Sequence, residues 1–254
     1  MRSSLIGMAA FAAFCIPGPA AQARQEIPAH IAAGVAGPQR GATSVARDAL
    51  RKPAETLVFA GLEPGMKVMD LVPGGGYFTR ILSVAVGSEG HVYALQPYEV
   101  VDTLTAYRKV MEDMDAEPGW ENVTFSFDPA VSFTTPEPLD MVFTALNYHD
   151  FHADFMGPAD VGAINRAVFN ALKPGGIYFI TDHHAVAGSG LADVNRLHRI
   201  DVEVVKREVL AAGFVLEAES DLLAHPDDDR TRHVYLPEMR GRTDQFTLKF
   251  RKPG

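Results

Sequence analysis

The sequence predicts an α/β fold in which a seven-stranded, mostly parallel sheet carries helices on both faces. Seven apolar runs of strand length recur along the chain, and most are separated by helical stretches. The segment from Lys67 to Leu82 passes from an apolar strand through the glycines 74–76 into an amphipathic helix. With 254 residues and 47% hydrophobic content, the chain can bury a full core as one globular domain.

Residues 1–23 have the pattern of a secretory signal peptide. Arg2 supplies the positive charge, Leu5–Ile16 the apolar stretch, and Ala21–Ala23 a small-x-small cleavage site. We therefore expect cleavage after Ala23 and export, to the periplasm in a bacterium. A membrane anchor is the alternative, but the apolar stretch is too short to span a bilayer, so we expect no stable membrane insertion. The lone cysteine, Cys15, lies in this segment, which agrees with an oxidising compartment.

The mature chain is predicted to begin with an arm and two helices. Residues 24–41 are rich in alanine, glycine and proline and predict an extended arm or short helix packed on the domain, which spans residues 42–254. A helix is expected over Ala42–Arg51. A second begins at Pro53 and closes at Gly61, because proline suits the first turn of a helix and glycine its end.

The strands that follow define where a ligand would bind. In parallel sheets, ligands lie beyond the carboxyl ends of the strands, and a glycine turn before a helix start welcomes an anionic group. The formal net charge of −9 argues against a nucleic-acid partner, so we expect a small-molecule substrate. The predicted strands are Lys67–Leu71, His91–Leu95, Val123–Phe127, Met141–Leu146, Ile177–Thr181, Phe214–Ser220 and Phe246–Phe250.

Four motifs in order resemble those of class I S-adenosylmethionine (SAM)-dependent methyltransferases. They are DLVPGGG (Asp70–Gly76), PLDMVF (Pro138–Phe143), ALKPGGIYFITD (Ala171–Asp182) and REVLAAGFVLEAES (Arg207–Ser220). The likeness covers roughly residues 42–254, and LKPGG is far more specific than a lone glycine loop. Together with the signal peptide, the segments Arg51–Met66 and Arg240–Pro253 resemble a narrower group of exported bacterial methyltransferases.

The resemblance implies a Rossmann-like class I methyltransferase fold, SAM as cofactor, and methyl transfer to an oxygen or nitrogen of a small-molecule acceptor. It places the amino-acid end of SAM at Asp70, Gly74 and Gly76, and the adenine near Asp128. Gln96 stands where an acidic residue normally binds the ribose, and it lacks the two-oxygen acceptor. Val72 stands where the first glycine of the motif is usual. The full set of implied cofactor-binding residues is Asp70, Pro73, Gly74, Gly75, Gly76, Tyr77, Gln96 and Asp128.

Polar residues close the fourth and fifth strands, which face the transferable methyl group in this fold. We expect His149 and His183 to act as bases that take a proton from the acceptor, and Asn147 and Tyr148 to shape the acceptor pocket. The alternative is that one or both histidines are hydrogen-bonded loop residues.

The same strand ends could instead hold a divalent metal. Their imidazoles and carboxylates match no strict ligand motif, and His149 and His152 share a face only if a helix has already started. We therefore assign no metal ligands and keep a divalent ion as the less favoured alternative. The residues concerned are His149, Asp150, His152, Asp182, His183 and His184.

Two long connections, Ala185–Arg196 and Leu222–Thr243, are expected to form the substrate side. Arg199, expected at the start of the last large helix, would either reach an anionic substrate group or form a surface ion pair. The acidic run Asp227–Asp229 predicts a solvated turn, with a calcium site as the alternative.

The predicted export conflicts with the use of SAM, because SAM is made in the cytoplasm. Together with Val72, Gln96 and the histidine cluster, this motivates a second hypothesis. The chain would then be a repurposed small-molecule-binding protein or metal-assisted enzyme that transfers no methyl group. No feature of the sequence indicates an oligomeric state.

Overall fold

A computed structural model describes residues 26–157 and 159–254 and confirms the predicted seven-stranded sheet. The signal-peptide prediction lies outside the described residues. The sheet order is β3-β2-β1-β4-β5-β7-β6, in which β1 to β5 are parallel and β7 runs antiparallel to both neighbours. The strands are β1 Lys67–Leu71, β2 His91–Leu95, β3 Val123–Ser126, β4 Leu139–Ala145, β5 Leu172–His183, β6 Val215–Ser220 and β7 Gln245–Arg251.

The helices follow the predicted alternation. β1, β2 and the helix after the glycine turn have the predicted bounds. The helices are α1 Ala29–Val35, α2 Ala42–Val45, α3 Asp48–Arg51, α4 Pro53–Ala60, α5 Tyr77–Val86, α6 Tyr98–Thr103, α7 Ala106–Asp115, α8 Val161–Ala171, α9 Val194–Leu197 and α10 Val202–Ala211. No helix among the described residues is long and apolar enough to cross a membrane.

The single helix predicted over Ala42–Arg51 is wrong, because the structure has two short helices there. The Arg47 N–H donates to the Ser44 carbonyl three residues back, which tightens the backbone between α2 and α3. Lys52, which precedes Pro53, then adopts a left-handed conformation with φ 42° and ends α3. Pro53 starts α4 as predicted, and Gly61 ends it.

The core lies on both faces of the sheet because strand side chains alternate in direction. In β4, Met141 and Phe143 join one apolar cluster, which packs against α1, α4 and α5. Val142 joins the other, which packs against α8 and α10. This two-sided burial holds the carboxyl ends of β1, β2, β4 and β5 at one edge.

Arg199 is neither a substrate contact nor a surface ion-pair residue. Its side chain is fully buried, and its guanidinium donates to both oxygens of Asp228 at 2.8 and 3.2 Å. It lies before α10, whose N-cap is Asp201. The acidic run is accordingly not a uniformly solvated turn, because Asp228 is buried while its two neighbours are exposed. The ion pair ties the 222–243 connection to the end of β5.

Candidate functional site

The glycine turn after β1 forms an open surface at the carboxyl edge of the sheet. Gly74 and Gly76 have φ of 56° and 69°, values that suit glycine. A Cβ added at Gly75 would meet nothing within 4 Å, and one at Gly74 would meet only Tyr107 of α7, at 3.8 Å. Pro73 is half-buried, and its carbonyl accepts from the Gly76 N–H. A ligand can therefore approach the backbone closely at Gly74 and Gly75, whereas Gly76 is buried against the Met114 side chain.

Two residues beside the turn have φ above zero without being glycine. Val72 has φ 63°, at the position where the resemblance expects glycine, and Leu146 at the end of β4 has φ 67°. The Asn147 side-chain amide joins these strand ends by donating to the carbonyls of Val72 and Ala145 at 3.0 and 2.8 Å. Strained backbone of this kind costs free energy and is typical of functional sites.

Asp70 is the buried carboxylate that precedes the turn. Its side chain is only 3% exposed and accepts a hydrogen bond of 2.7 Å from the Thr79 hydroxyl of α5. Burial raises the pKa of Asp70 to about 6, against the lowering effects of Thr79 and Arg51. The sequence predicted Asp70 at the cofactor, and the structure places it directly below the turn.

Gln96 follows β2 and reaches the turn from the side. Its Oε1 accepts from the Gly74 N–H at 3.2 Å, while its buried Nε2 has no hydrogen-bond partner among the described residues. An unsatisfied buried amide costs free energy, so a ligand oxygen here would be stabilised. Asp128 is half-buried just beyond β3, and its backbone carbonyl accepts from the Tyr98 N–H.

Tyr77 is committed to the N-terminal helices instead of the turn. Its hydroxyl donates to Asp48 at 2.6 Å, and the Arg51 guanidinium lies 4.3 Å from its ring centroid. Arg51 makes no ion pair within 4.0 Å in the described part of the chain. Burial, together with Arg47, lowers the pKa of Arg51 to about 10, so it stays charged at neutral pH. Arg51 was not predicted at the site, because it lies on a separate helix, α3, whose packing against the turn has no local sequence signal.

Of the two predicted acceptor-pocket residues, only Asn147 lies at the strand ends. Tyr148 is fully buried, its hydroxyl donates to Glu208 at 3.0 Å, and the Asn165 amide donates to that hydroxyl at 2.8 Å. Burial raises the pKa of Tyr148 well above 10. The structure therefore places Tyr148 in the core between β4, α8 and α10.

His149 and Asp182 form a buried pair between the ends of β4 and β5. The Nδ1–H of His149 donates to Asp182 at 2.8 Å, and Asp182 also accepts from the backbone N–H groups of His149 and His183 at 2.7 Å each. Although burial opposes it, Asp182 and Asp150 raise the pKa of His149 to about 10. The two carboxylates therefore favour the protonated form of the His149 imidazole at neutral pH.

His183 lies beside this pair in the opposite protonation state. Its ring centroid is 5.9 Å from that of His149, and its Nδ1 lies 2.7 Å from the Thr243 hydroxyl. Burial lowers the pKa of His183 to about 3, so the imidazole is neutral. Thr243 is the last residue of the Leu222–Thr243 connection, which was expected on the substrate side as a segment, and its contact with His183 was not predicted. The base roles of both histidines stay predictions.

The structure separates the six residues considered as metal ligands. His149 and His152 do share a 3₁₀ helix, but the His152 Nε2–H donates to Glu208 at 3.0 Å. His184 lines a separate cavity of about 120 Å³ together with Arg230 and Asp244. Asp182 stays beside His149 but bonds to its Nδ1–H, so of the six only Asp150 lies next to the His149 Nε2, at 3.1 Å, and an unexpected residue joins these two. His198 ends α9, with its Nδ1 3.2 Å from the His149 Nε2.

Comparison with solved structures agrees with this architecture. The chain has the class I methyltransferase fold. A SAM-dependent methyltransferase from Aquifex aeolicus matches with a TM-score of 0.53 and 18% identity, over 81% of this chain and 97% of that one. A glycopeptide N-methyltransferase, MtfA, solved with sinefungin, matches with a TM-score of 0.53 and 17% identity, over 82% of this chain and 87% of that one.

A protein with a different reaction shares the fold. The [4+2]-cyclase SpnF matches with a TM-score of 0.57 and 19% identity, over 88% of this chain and 91% of that one. No family model matches the sequence, and neither does any curated protein. The reaction must therefore be argued from the site itself.

Proposed function

We propose that this protein is a SAM-dependent methyltransferase that acts on an oxygen or nitrogen of a small molecule. The observation that carries the proposal is the open glycine turn, flanked by the unsatisfied Nε2 of Gln96 and the buried carboxylate of Asp70. The Gln96 Nε2 is a donor without a partner among the described residues, and the Asp70 carboxylate, which accepts from Thr79, is a buried acceptor next to a backbone left open at Gly74 and Gly75. They fit a polar ligand that approaches the main chain closely.

The charges near the turn fit the amino-acid end of SAM. Asp70 would accept from an ammonium group, and the unpaired Arg51 is suited to a carboxylate. The Nε2 of Gln96 would donate to a ribose oxygen, a role that the usual acidic residue cannot perform. When bound, SAM supplies an electrophilic methyl group. The residues of this chain would hold and orient SAM and the acceptor. Asn147 fixes the strand ends where an acceptor would lie.

The cofactor proposal is tested by filling the turn. Gly75 has open space around it and no positive φ, so Gly75→Val adds bulk without backbone strain. Gly41 is equally open and unstrained, lies outside the turn, and makes Gly41→Val a matched control. Isothermal calorimetry should give micromolar-range SAM binding to the wild type and to Gly41→Val, and at least about tenfold weaker binding to Gly75→Val. Absence of SAM binding to the wild type would refute the proposal.

A second candidate is a small-molecule-binding protein or metal-assisted enzyme that transfers no methyl group. Gln96 in place of an acidic residue favours it, as does the cyclase with the same fold. The two candidates differ in what happens to the cofactor. If the protein forms S-adenosylhomocysteine when SAM and an acceptor are added, as detected by mass spectrometry, the result supports methyl transfer. SAM that stays intact while the acceptor is changed supports the second candidate.

A further inference from the structure

Three potential metal ligands converge where β4 ends and α9 meets it. The Nε2 of His149 lies 3.1 Å from the Oδ1 of Asp150 and 3.2 Å from the Nδ1 of His198, and the last two atoms are 3.6 Å apart. We propose that His149, Asp150 and His198 bind one divalent transition-metal ion, of which zinc is the type. This site includes a residue that the sequence did not indicate and omits four that it did.

The distances between the three atoms match a tetrahedral ion. Zinc lies about 2.0–2.1 Å from nitrogen and oxygen ligands, which places two tetrahedral ligand atoms about 3.3–3.4 Å apart. The observed separations of 3.1, 3.2 and 3.6 Å span that value. The circle through the three atoms has a radius of about 1.9 Å, so an ion at bonding distance from each would lie just outside their plane.

The surroundings of His149 are those of a metal ligand. Its Nδ1–H is held by Asp182, which leaves Nε2 as the coordinating atom and fixes the ring direction. Asp182 is itself fixed by the two backbone N–H groups that it accepts from. A histidine oriented by a carboxylate in this way is the usual second layer of a metal site.

The other two proposed ligands, Asp150 and His198, also have features that a bound ion would explain. The Oδ1 of Asp150 is buried and has no donor in good hydrogen-bond geometry among the described residues, although the His149 Nε2 lies 3.1 Å away. His198 has φ 54°, a conformation that costs free energy for a residue other than glycine. Its side chain is 21% exposed, which leaves a solvent-facing side for a fourth ligand such as water or substrate.

Metal binding does not rest on the proposed methyl transfer, because it uses none of the residues of the glycine turn. An ion here would lie at the strand ends that face an acceptor. It could bind an acceptor oxygen and lower the pKa of its proton. The same ion would serve either candidate function, so its presence is best measured directly.

The test measures metal binding by the untagged, chelator-treated protein. Zinc should bind at one equivalent in calorimetry, and Co²⁺ should give the strong visible absorption of four-coordinate cobalt. Asp150→Asn and His198→Gln should each weaken zinc binding at least about 100-fold. His91→Gln removes a histidine at the opposite edge of the sheet, at the start of β2, and should bind zinc as the wild type does.

Several outcomes decide between an ion site and a purely hydrogen-bonded cluster. Zinc binding below one equivalent, or wild-type affinity in His198→Gln, would overturn the proposal. Circular dichroism checks the fold of each variant. If Asp150→Asn does not fold, the partly exposed His198 decides alone. Weak cobalt absorption with one equivalent bound would refute the tetrahedral, zinc-type assignment.

Discussion

Asp70 should make the folded protein less stable as the pH rises. Its ordinary pKa of 3.8 is raised to about 6 by burial. Between these two values the unfolded chain ionises first, so the free energy of unfolding falls with pH and levels off above about pH 6. The raised pKa lowers the free energy of unfolding by about 3 kcal/mol at high pH, and this loss is absent below pH 3.8. Asp70→Asn keeps an acceptor for Thr79 and removes the buried charge.

We therefore expect Asp70→Asn to be more stable than the wild type by up to about 3 kcal/mol at pH 7.5 and nearly equal to it at pH 4. Urea unfolding, followed by circular dichroism over this pH range, measures the difference. Asp113→Asn serves as the control because this carboxylate is exposed in α7, and it should shift stability by less than about 0.5 kcal/mol throughout. A difference between Asp70→Asn and the wild type that stays constant or shrinks with rising pH would refute the argument.

Three further outcomes are expected. Arg199→Met should cost about 3 kcal/mol in urea unfolding, because Asp228 loses its buried partner but keeps backbone donors, and adding Asp228→Asn should restore part of the loss; an unchanged midpoint for the single variant would contradict this. Val72→Gly should be more stable than Val72→Ala by about 1 kcal/mol, the reverse of the usual order, since φ is 63°; a more stable alanine variant would count against strain. Mass spectrometry of the exported protein should find Arg24 as its first residue, whereas an intact N-terminus would exclude the expected cleavage after Ala23.

The secondary structure could be predicted closely because its signals are local. β1 and α5 are marked by an apolar run, a glycine turn and an amphipathic stretch within twenty residues. The prediction of one helix over Ala42–Arg51 failed because of a single tightened hydrogen bond, which helix propensity does not predict. The mostly parallel direction of the strands was predicted together with the fold class, whereas their order and register come from the structure alone.

The sequence predicted which polar residues follow a given strand, but not which residues from other elements contact them. The polar run after β4 indicated Asn147, Tyr148 and His149 alike, but the chain there turns so that Tyr148 enters the core. His198 and Arg51 reach the site from helices whose approach depends on tertiary packing. The sequence carries the identity of such residues, but their distance from the strand ends depends on how the loops fold back.

The reversed direction of β7 affects the order in which the molecule can be completed. In the sheet, β6 neighbours β7 alone, and β7 lies between it and β5. β6 therefore has no strand to pair with until β7, the last strand in chain order, has joined the sheet. The same event brings Thr243, two residues before β7, to His183. The cluster of residues around His183 is therefore complete only after β7 has joined the sheet.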